Sequence, residues 1–406
     1  MTGTRATRSY WALGARTIES MNGLFENRGI AITSAAAVAA ASAYYFLVYK
    51  SNNGSAGFVQ TNTRSSAEDY AIKLPKTIDP DAKSRAKLRQ VMESLDKKHP
   101  KLLKRAFFES RIFNPVAVRL LQFNMLAEGL SAEPDFGGFT QTPVDSLDFH
   151  KFRKFRLLNE LVRYNADIIA VEECDHFDDF FLPALKLHGY DGRFFPKRNA
   201  TTLKFGADKF SDGVALIWNT KSISLKEIDH IYYEPDTPGT VWSQVGVIGR
   251  FERGHCGRTF LVAATHLKAK AKPENEERRV LQARQLLDKL DSMKRDRENV
   301  VVMGDFNTEP IVEYYDKQCT YDMIHEHPLK LKSAYKCRAG SEPAYTTCKI
   351  RKNGETCHTI DYIFIPVDAI ALSTLDIPER SSLPESRLPG YSYPSDHLAI
   401  GCDVLF

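Results

Sequence analysis

Six stretches of the chain run apolar and then stop on a side chain able to hold a cation or a phosphate. LLQFNML places Asn124, and DIIAVEEC closes on Glu172 and Glu173, with Asp175 just beyond. FLVAATHLKAK delivers His266, Lys268 and Lys270, and VVMGDFN delivers Asp305 and Asn307. HTIDYIF carries Asp361, and YPSDHLAI carries Asp396 and His397. Each has an ordinary explanation when taken alone. Asp and Asn favour turns, a strand-end histidine is commonly a satisfied one, and a lysine pair is commonly a solvated edge. Together they are hard oxygen and imidazole groups, and the chemistry they support is metal-assisted phosphoester hydrolysis. Magnesium prefers carboxylate, carbonyl and water oxygens, with substrate phosphate completing its shell. A carboxylate such as Asp305 could orient or deprotonate the attacking water. Histidines and an amide could stabilise charge developing on phosphoryl oxygens. An Asp bonded to a His fixes its tautomer and supports its charged form.

The elements that must position these groups follow from the pattern. Val300 to Met303 is a β-branched, apolar run bounded by Gly304 and Pro310, which predicts a strand buried on both faces. Residues two apart on a strand share a face. Asp305 and Asn307 should therefore project together at its carboxyl end, with Phe306 turned to the core. Strand ends are where open α/β sheets place ligands; a capped turn is the alternative reading. From Val116 onward strands and helices alternate. VAVRLLQFNML, ADIIAVEEC and VALIW read as strands, and FRKFRLLNELVRYN and FDDFFLPALKLHGY as helices. VWSQVGVIGRFER and RTFLVAATHL read as adjacent strands, followed by the long charged helix ENEERRVLQARQLLDKLDSMKRD. Consecutive strands without intervening helices require antiparallel pairing, so an α/β sandwich with mixed sheets fits better than a doubly wound parallel sheet.

Composition suits a globular chain of 406 residues, 43% hydrophobic and 26% charged. The net charge of +4 hides an asymmetry. Residues 1–111 hold 18 Lys and Arg against 9 Asp and Glu, whereas residues 112–406 hold 37 against 42. A mildly acidic C-terminal part argues against a long positive groove tracking many phosphates. It leaves room for a small phosphate pocket. The seven cysteines show no CxxC pair, so neither a disulfide framework nor a cysteine zinc site is indicated. Cys337, Cys348 and Cys357 are expected to be reduced thiols.

The N-terminal part divides into a targeting or anchor segment over residues 1–50 and a linker with a basic helical stretch over residues 51–111. Arg5, Arg8 and Arg16, with Ser and Thr and no acid before Glu19, suit a mitochondrial presequence. Gly29 to Tyr49 carries no charge and is long enough to span a bilayer. The expectation is mitochondrial targeting, with a cytoplasmic, perinuclear or endoplasmic-reticulum location as the alternative. The stretch from Lys83 to Arg105 reads as a solvated helix face, or as a contact for RNA or anionic lipid.

Residues 112–406 resemble the endonuclease/exonuclease/phosphatase superfamily, through QFN, the acid in VEEC, THL, GDFN and SDH in that order. DHF, FFPK, THLKAK, GDFNTEP, LKSAY, EPAYTTCKIR, HTIDYIF and RLPGYSYPSDHL resemble its nocturnin branch. The resemblance implies a DNase-I-like, four-layered α/β sandwich with two mixed sheets flanked by helices. It implies Glu173 as the main magnesium ligand with Asn124 beside it, and Asp305 positioning or activating water. It implies Asn307 and His266 on the scissile phosphate, His397 oriented by Asp361 and stabilising charge, and Asp396 near the metal. Lys268, Lys270 and Arg351 would hold substrate phosphates. Lys270 stands where the family often has Arg, and Cys348 where an aromatic is usual. Glu172 is the weaker ligand candidate, because adjacent strand residues point oppositely. The branch implies a magnesium-dependent enzyme that removes the 2′-phosphate of NADP(+) and NADPH, in metabolic and circadian regulation. The runner-up is a poly(A) 3′-exoribonuclease with RNA as substrate, which the charge balance disfavours. A membrane-tethered RNA-binding adaptor is the non-enzymatic alternative, and the full acid and imidazole set argues against it.

Overall fold

The central strands are buried along nearly their whole length, so both faces of each sheet meet a packed layer. In the computed structural model, residues 82–107, 116–131, 138–205, 210–235, 240–254 and 256–406 are described. The targeting, anchor and presequence expectations for residues 1–50 lie outside them, as does most of the linker. No described helix is long and apolar enough to cross a membrane.

The strands are, in chain order, β1 (Val118–Asn124), β2 (Ile168–Cys174), β3 (Tyr190–Pro196), β4 (Gly213–Asn219), β5 (Ile223–Tyr232), β6 (Val245–Arg253) and β7 (Thr259–His266). They continue as β8 (Asn299–Asp305), β9 (Leu331–Ser333), β10 (Thr347–Arg351), β11 (Gly354–His358), β12 (Asp361–Pro366), β13 (Ile370–Thr374) and β14 (Ile400–Leu405). Among the described residues they form one six-stranded sheet in the order β13-β14-β1-β2-β4-β3 and another in the order β5-β6-β7-β8-β12-β9. A separate hairpin is made by β10 and β11. Both sheets are mixed: β1 runs parallel to β2 and β7 parallel to β8, whereas β2–β4, β6–β7 and β8–β12 are antiparallel. This is the mixed α/β sandwich expected from the strand pattern.

Parity sorts the side chains into three cores. Leu120, Ile168, Ala170, Val262, Ala264, Val301, Met303 and Ile363 meet between the sheets. Leu121, Phe123, Ile169 and Val171 face outward against the helices Lys154–Val162 and Leu182–Leu187. Leu261, Ala263, Val300 and Val302 face the other way, against the long helix Pro273–Met293. That helix starts on Pro273 in its first turn, where the missing N–H costs nothing.

Two expectations need correction. The basic stretch after residue 81 keeps the solvated face expected of it, with Lys83, Arg85, Arg89, Lys97 and Lys98 exposed, but it is not a free arm. Helix Ala82–Lys98 and the segment to Phe107 pack on the sandwich, with Leu88 buried and Val91, Met92 and Leu95 against the outer core. Arg105 lies 3.7 Å from Glu160 with both side chains fully buried, and it donates 2.7 Å to the Asp376 carbonyl, so its charge is spent inside. Packing therefore extends the catalytic unit upstream of residue 112. The second correction concerns the cysteines. Cys348 and Cys357 face each other across β10 and β11 and are joined as a disulfide, because antiparallel register sets them directly opposite.

One glycine is required by close approach. A Cβ on Gly304 would lie 2.0 Å from the Thr265 carbonyl oxygen of the neighbouring strand β7. Gly304→Ala should therefore force β7 and β8 apart and cost about 1–3 kcal/mol of stability. Urea denaturation followed by circular dichroism measures this, and an unchanged midpoint would show that the strands separate freely.

Candidate functional site

The inter-sheet core does not stay apolar to its end. Continuing the parity of β1 beyond Leu120 gives Gln122 and Asn124; of β2, Glu172; of β7, His266; of β8, Asp305; and of β12, Asp361. Because β1–β2 and β7–β8 are parallel, these termini lie on one edge. Register puts Asn124 beside Glu172, and Asp305 beside both His266 and Asp361. All are buried.

Asp361 Oδ2 lies 2.9 Å from His397 Nδ1 and accepts from Thr346 Oγ1 at 2.6 Å, while its other oxygen accepts from Gln122 Nε2 at 3.0 Å. His397 Nε2 lies 4.0 Å from Asp305 Oδ2. Burial opposes charge on His397, but Asp361, Asp396 and Asp305 outweigh it and push its pKa up to about 10. His397 is thus an imidazolium at neutral pH. Asp305 is held by Asn124 Nδ2 at 3.0 Å and by the backbone N–H of Asn307 at 2.9 Å. Burial and the Asp361 charge nonetheless push it up to about 7. Glu172, bonded to Gln122 at 2.7 Å, is raised well above the carboxylate range by burial and by Asp361. Its ionised form is thereby disfavoured beneath the site.

Glu173 takes a different route. The β2–β4 register shifts between Val171 and Cys174, and Glu173 has φ +49°, so the bulge re-aims its carboxylate out of the outer core and into the cleft. Its Oε1 lies 4.0 Å from His266 Nε2. His266 in turn accepts at Nδ1 from Lys197 Nζ, 3.1 Å away. With burial and the Lys197 charge, its pKa falls well below the usual value, so the ring is neutral and Nε2 carries the proton. Nε2–H points at Asp305 Oδ2, 3.5 Å away.

Glu173, His266, Asp305, Asn307, Lys270, Arg351, Asp396 and His397 line a cleft of about 390 Å³. Asp361 stands behind His397 rather than in the wall. Asn124 also differs from expectation: its oxygen accepts from the Leu126 N–H at 3.0 Å and its amide holds Asp305, which makes it a support for the acid. Lys268 is not among the lining residues; its backbone is fastened to Gln282 and Arg279, and its ammonium is depressed by burial and nearby Arg278 and Lys270. Asn307 reaches the cleft through a turn with φ +53°, not through strand alternation, while Phe306 turns to the core as expected. The turn and the site are the same feature.

Several residues had no role in the sequence reading. Lys197 of FFPK and its partner Asp212, 2.6 Å away, set the His266 tautomer. Lys349, two residues before Arg351 and on the same face, lies 2.6 Å from Asp396, and Arg351 lies 3.4 Å from the same oxygen. Burial is overridden by Lys349, His397 and Arg351, which hold Asp396 far below the carboxylate range. Buried Arg153 donates 2.9 Å each to the Met125 and Pro394 carbonyls, tying the exit of β1 to the loop before Asp396.

A divalent cation fits this donor set. Glu173 and Asp305 present carboxylate oxygens that, with His266, lie within 4.8 Å of one another, and both acids are raised by burial for want of positive charge. The two carboxylates would hold the ion; His266 Nε2, being protonated, would not.

The endonuclease/exonuclease/phosphatase family model matches residues 122–397, from Gln122 to His397. The chain belongs to that family. Its members generally use divalent metal ions. Nocturnin of Homo sapiens is 36% identical over 294 residues, covering 71% of this chain and 65% of that protein. The match thus spans just under two thirds of the human relative. Nocturnin of Xenopus laevis is 34% identical over 316 residues, covering 76% of this chain and 78% of the relative. The human nocturnin catalytic domain with bound sulfate superposes with a TM-score of 0.58 at 31% identity, covering 74% of this chain and 97% of that one.

Two titrations test the electrostatics of this family site. His397 should keep its proton through neutral pH and lose it only near pH 10. In Asp361→Asn the charge should be lost at a clearly lower pH, followed by imidazole NMR; an unmoved titration would remove Asp361 as its cause. Cation binding must also displace the proton of Asp305. Magnesium affinity by calorimetry should be level above about pH 7 and fall by up to about tenfold per unit below it. Equal affinity at pH 6 and 8 would contradict a cation on Asp305.

Proposed function

We propose that this chain is a magnesium-dependent phosphatase that removes the 2′-phosphate of NADP(+) and NADPH. The observation that carries the reading is the composition of the cleft. A carboxylate and imidazole cluster sits at its floor, with Lys270 on one wall and Lys349 and Arg351 of the β10–β11 hairpin on another. At about 390 Å³ the cleft matches part of one dinucleotide, and the cations are local rather than strung along a groove. The similarity to nocturnin supports the same reading.

A magnesium ion on Glu173 and Asp305 would polarise the phosphoryl oxygens and neutralise developing charge. The chain's own groups do the rest. Asp305 would also orient the attacking water and accept its proton. The His397 imidazolium, oriented by Asp361, places positive charge against the phosphoryl group. Neutral His266 offers Nε2–H as a donor, fixed in that tautomer by Lys197. Asn307, whose amide is anchored to the Leu267 carbonyl at 3.2 Å, adds a polar contact. Lys270 and Arg351 would take the remaining phosphates; Lys268 moves to a supporting place.

The second reading is a poly(A) 3′-exoribonuclease. It is favoured by more distant relatives such as the Candida albicans CCR4-Not 3′-5′-exoribonuclease subunit, 25% identical over 333 residues. The full-length protein should be assayed with magnesium on NADPH and on a poly(A) oligonucleotide in parallel. Phosphate release from NADPH, abolished in Glu173→Ala, with poly(A) intact, is the expected result. Shortened poly(A) with untouched NADPH would establish the exonuclease. Arg351→Ala and Lys270→Ala should each raise the NADPH KM about tenfold, as loss of one charge-assisted contact, and Lys268→Ala much less. Unchanged KM in the first two would remove them from the pocket.

A further inference from the structure

A second group of metal-ligating side chains lies outside the cleft cluster. Glu128 follows β1, His150 lies in the turn of helix Phe149–Arg153, and His176 follows β2. His176 Nε2 lies 3.8 Å from Glu128 Oε2, and His150 Nε2 lies 3.9 Å from Glu128 Oε1. One ligand atom from each residue falls within 4.8 Å of the others. The His176 ring is 1% exposed, and its Nε2 has no hydrogen-bond partner among the described residues. A buried imidazole nitrogen aimed at a carboxylate and a second imidazole, with no hydrogen bond among the described residues, calls for a ligand.

The surroundings supply what a metal-binding histidine needs. Asp179 Oδ2 lies 2.9 Å from His176 Nδ1, the carboxylate–histidine contact that fixes a ligating ring and raises its basicity. Phe149 stacks on the same ring at 4.2 Å, and Phe210 meets it edge-on at 4.9 Å, so its plane is set by packing. Two imidazoles and one carboxylate, with a fourth position open to water, form a zinc-type donor set rather than a magnesium one.

We infer that Glu128, His150 and His176 form a binding site for a zinc-class divalent ion, separate from the cation position at Glu173 and Asp305. Tetrahedral bonds of about 2.0 Å set ligand atoms about 3.3 Å apart, so the three would draw together by up to about 1.5 Å. The ion would pin the segment after β1 to the segment after β2. Leu126 and Leu130 of the first segment line the cleft, so the site braces one of its walls.

The test uses full-length Glu173→Ala protein, in which the cleft cation position is disabled, titrated with Zn(II) and with Co(II). One equivalent of either should bind, and Co(II) should show the visible absorption of a tetrahedral nitrogen–oxygen site. Adding His150→Ala, at a side chain 45% exposed and therefore safe for folding, should weaken zinc at least about tenfold and remove the cobalt bands. Adding Asp179→Asn instead should weaken zinc about 10–100-fold while keeping the bands, as loss of a second carboxylate behind the ligand does. Zinc affinity and cobalt spectra unchanged by His150→Ala, or no zinc binding in Glu173→Ala, would overturn the assignment.

Discussion

Three acid side chains, Glu172, Asp305 and Asp361, end the inter-sheet core, and none reaches bulk water. Burying that much negative charge is costly unless it is neutralised, paired or coordinated. Each acid takes a different way out. Glu172 accepts from the Gln122 amide, while burial and Asp361 push its pKa up. Asp361 is matched by the His397 imidazolium and a hydroxyl. Asp305, held by an amide and a backbone N–H, is left partly uncompensated at a pKa near 7. The unspent charge on Asp305 is what a divalent cation would answer, and it lies where the cleft opens.

The rest of the sandwich serves that imbalance. Parallel pairing of β1 with β2 and of β7 with β8 puts their carboxyl ends on one edge, and antiparallel β12 begins there with Asp361. Gly304 lets β8 lie close enough to β7 for Asp305 to meet His266 in register. Lys197 then holds the His266 ring neutral, so that two adjacent imidazoles carry different charge: one a donor, the other a cation. Opposite environments pushing like groups apart in pKa is the arrangement that acid–base chemistry needs.

Much of this was legible in the chain before folding. Apolar runs ending in Asn124, His266 and Asp305 told both the strand parity and the chemistry, since a period of two carries the same face past the last apolar residue. The matching of His397 with Asp361 followed from the family motifs. What was not legible depends on contacts between distant residues or on local departures from the period. A bulge, not alternation, turns Glu173 into the cleft, and positive φ does the same for Asn307. Asn124 and Lys268 carry plausible ligand types, yet their hydrogen bonds commit them to support. Lys197 ends a strand, β3, that was not recognised, and its role requires Asp212 and His266 from two other segments. The disulfide likewise follows from hairpin register, not from cysteine spacing.

The walls of the cleft are built differently from its floor. Floor residues are fixed by sheet register, whereas Lys349 and Arg351 ride on a two-stranded hairpin tied to the 395–398 segment by the Thr347–Asp396 and Leu398–Thr346 bonds. Asp396 holds both cations from below, which keeps them poised at the rim rather than folded over the acids. An arriving phosphate competes with Asp396 for the same two groups. On the proposed reading the hairpin cations would answer the substrate's charge, while buried Asp396 stays with the floor. The proposed hydrolytic chemistry and substrate choice would therefore reside in separable parts: the register of two sheets on one side, and a hairpin with the loop carrying Lys270 on the other.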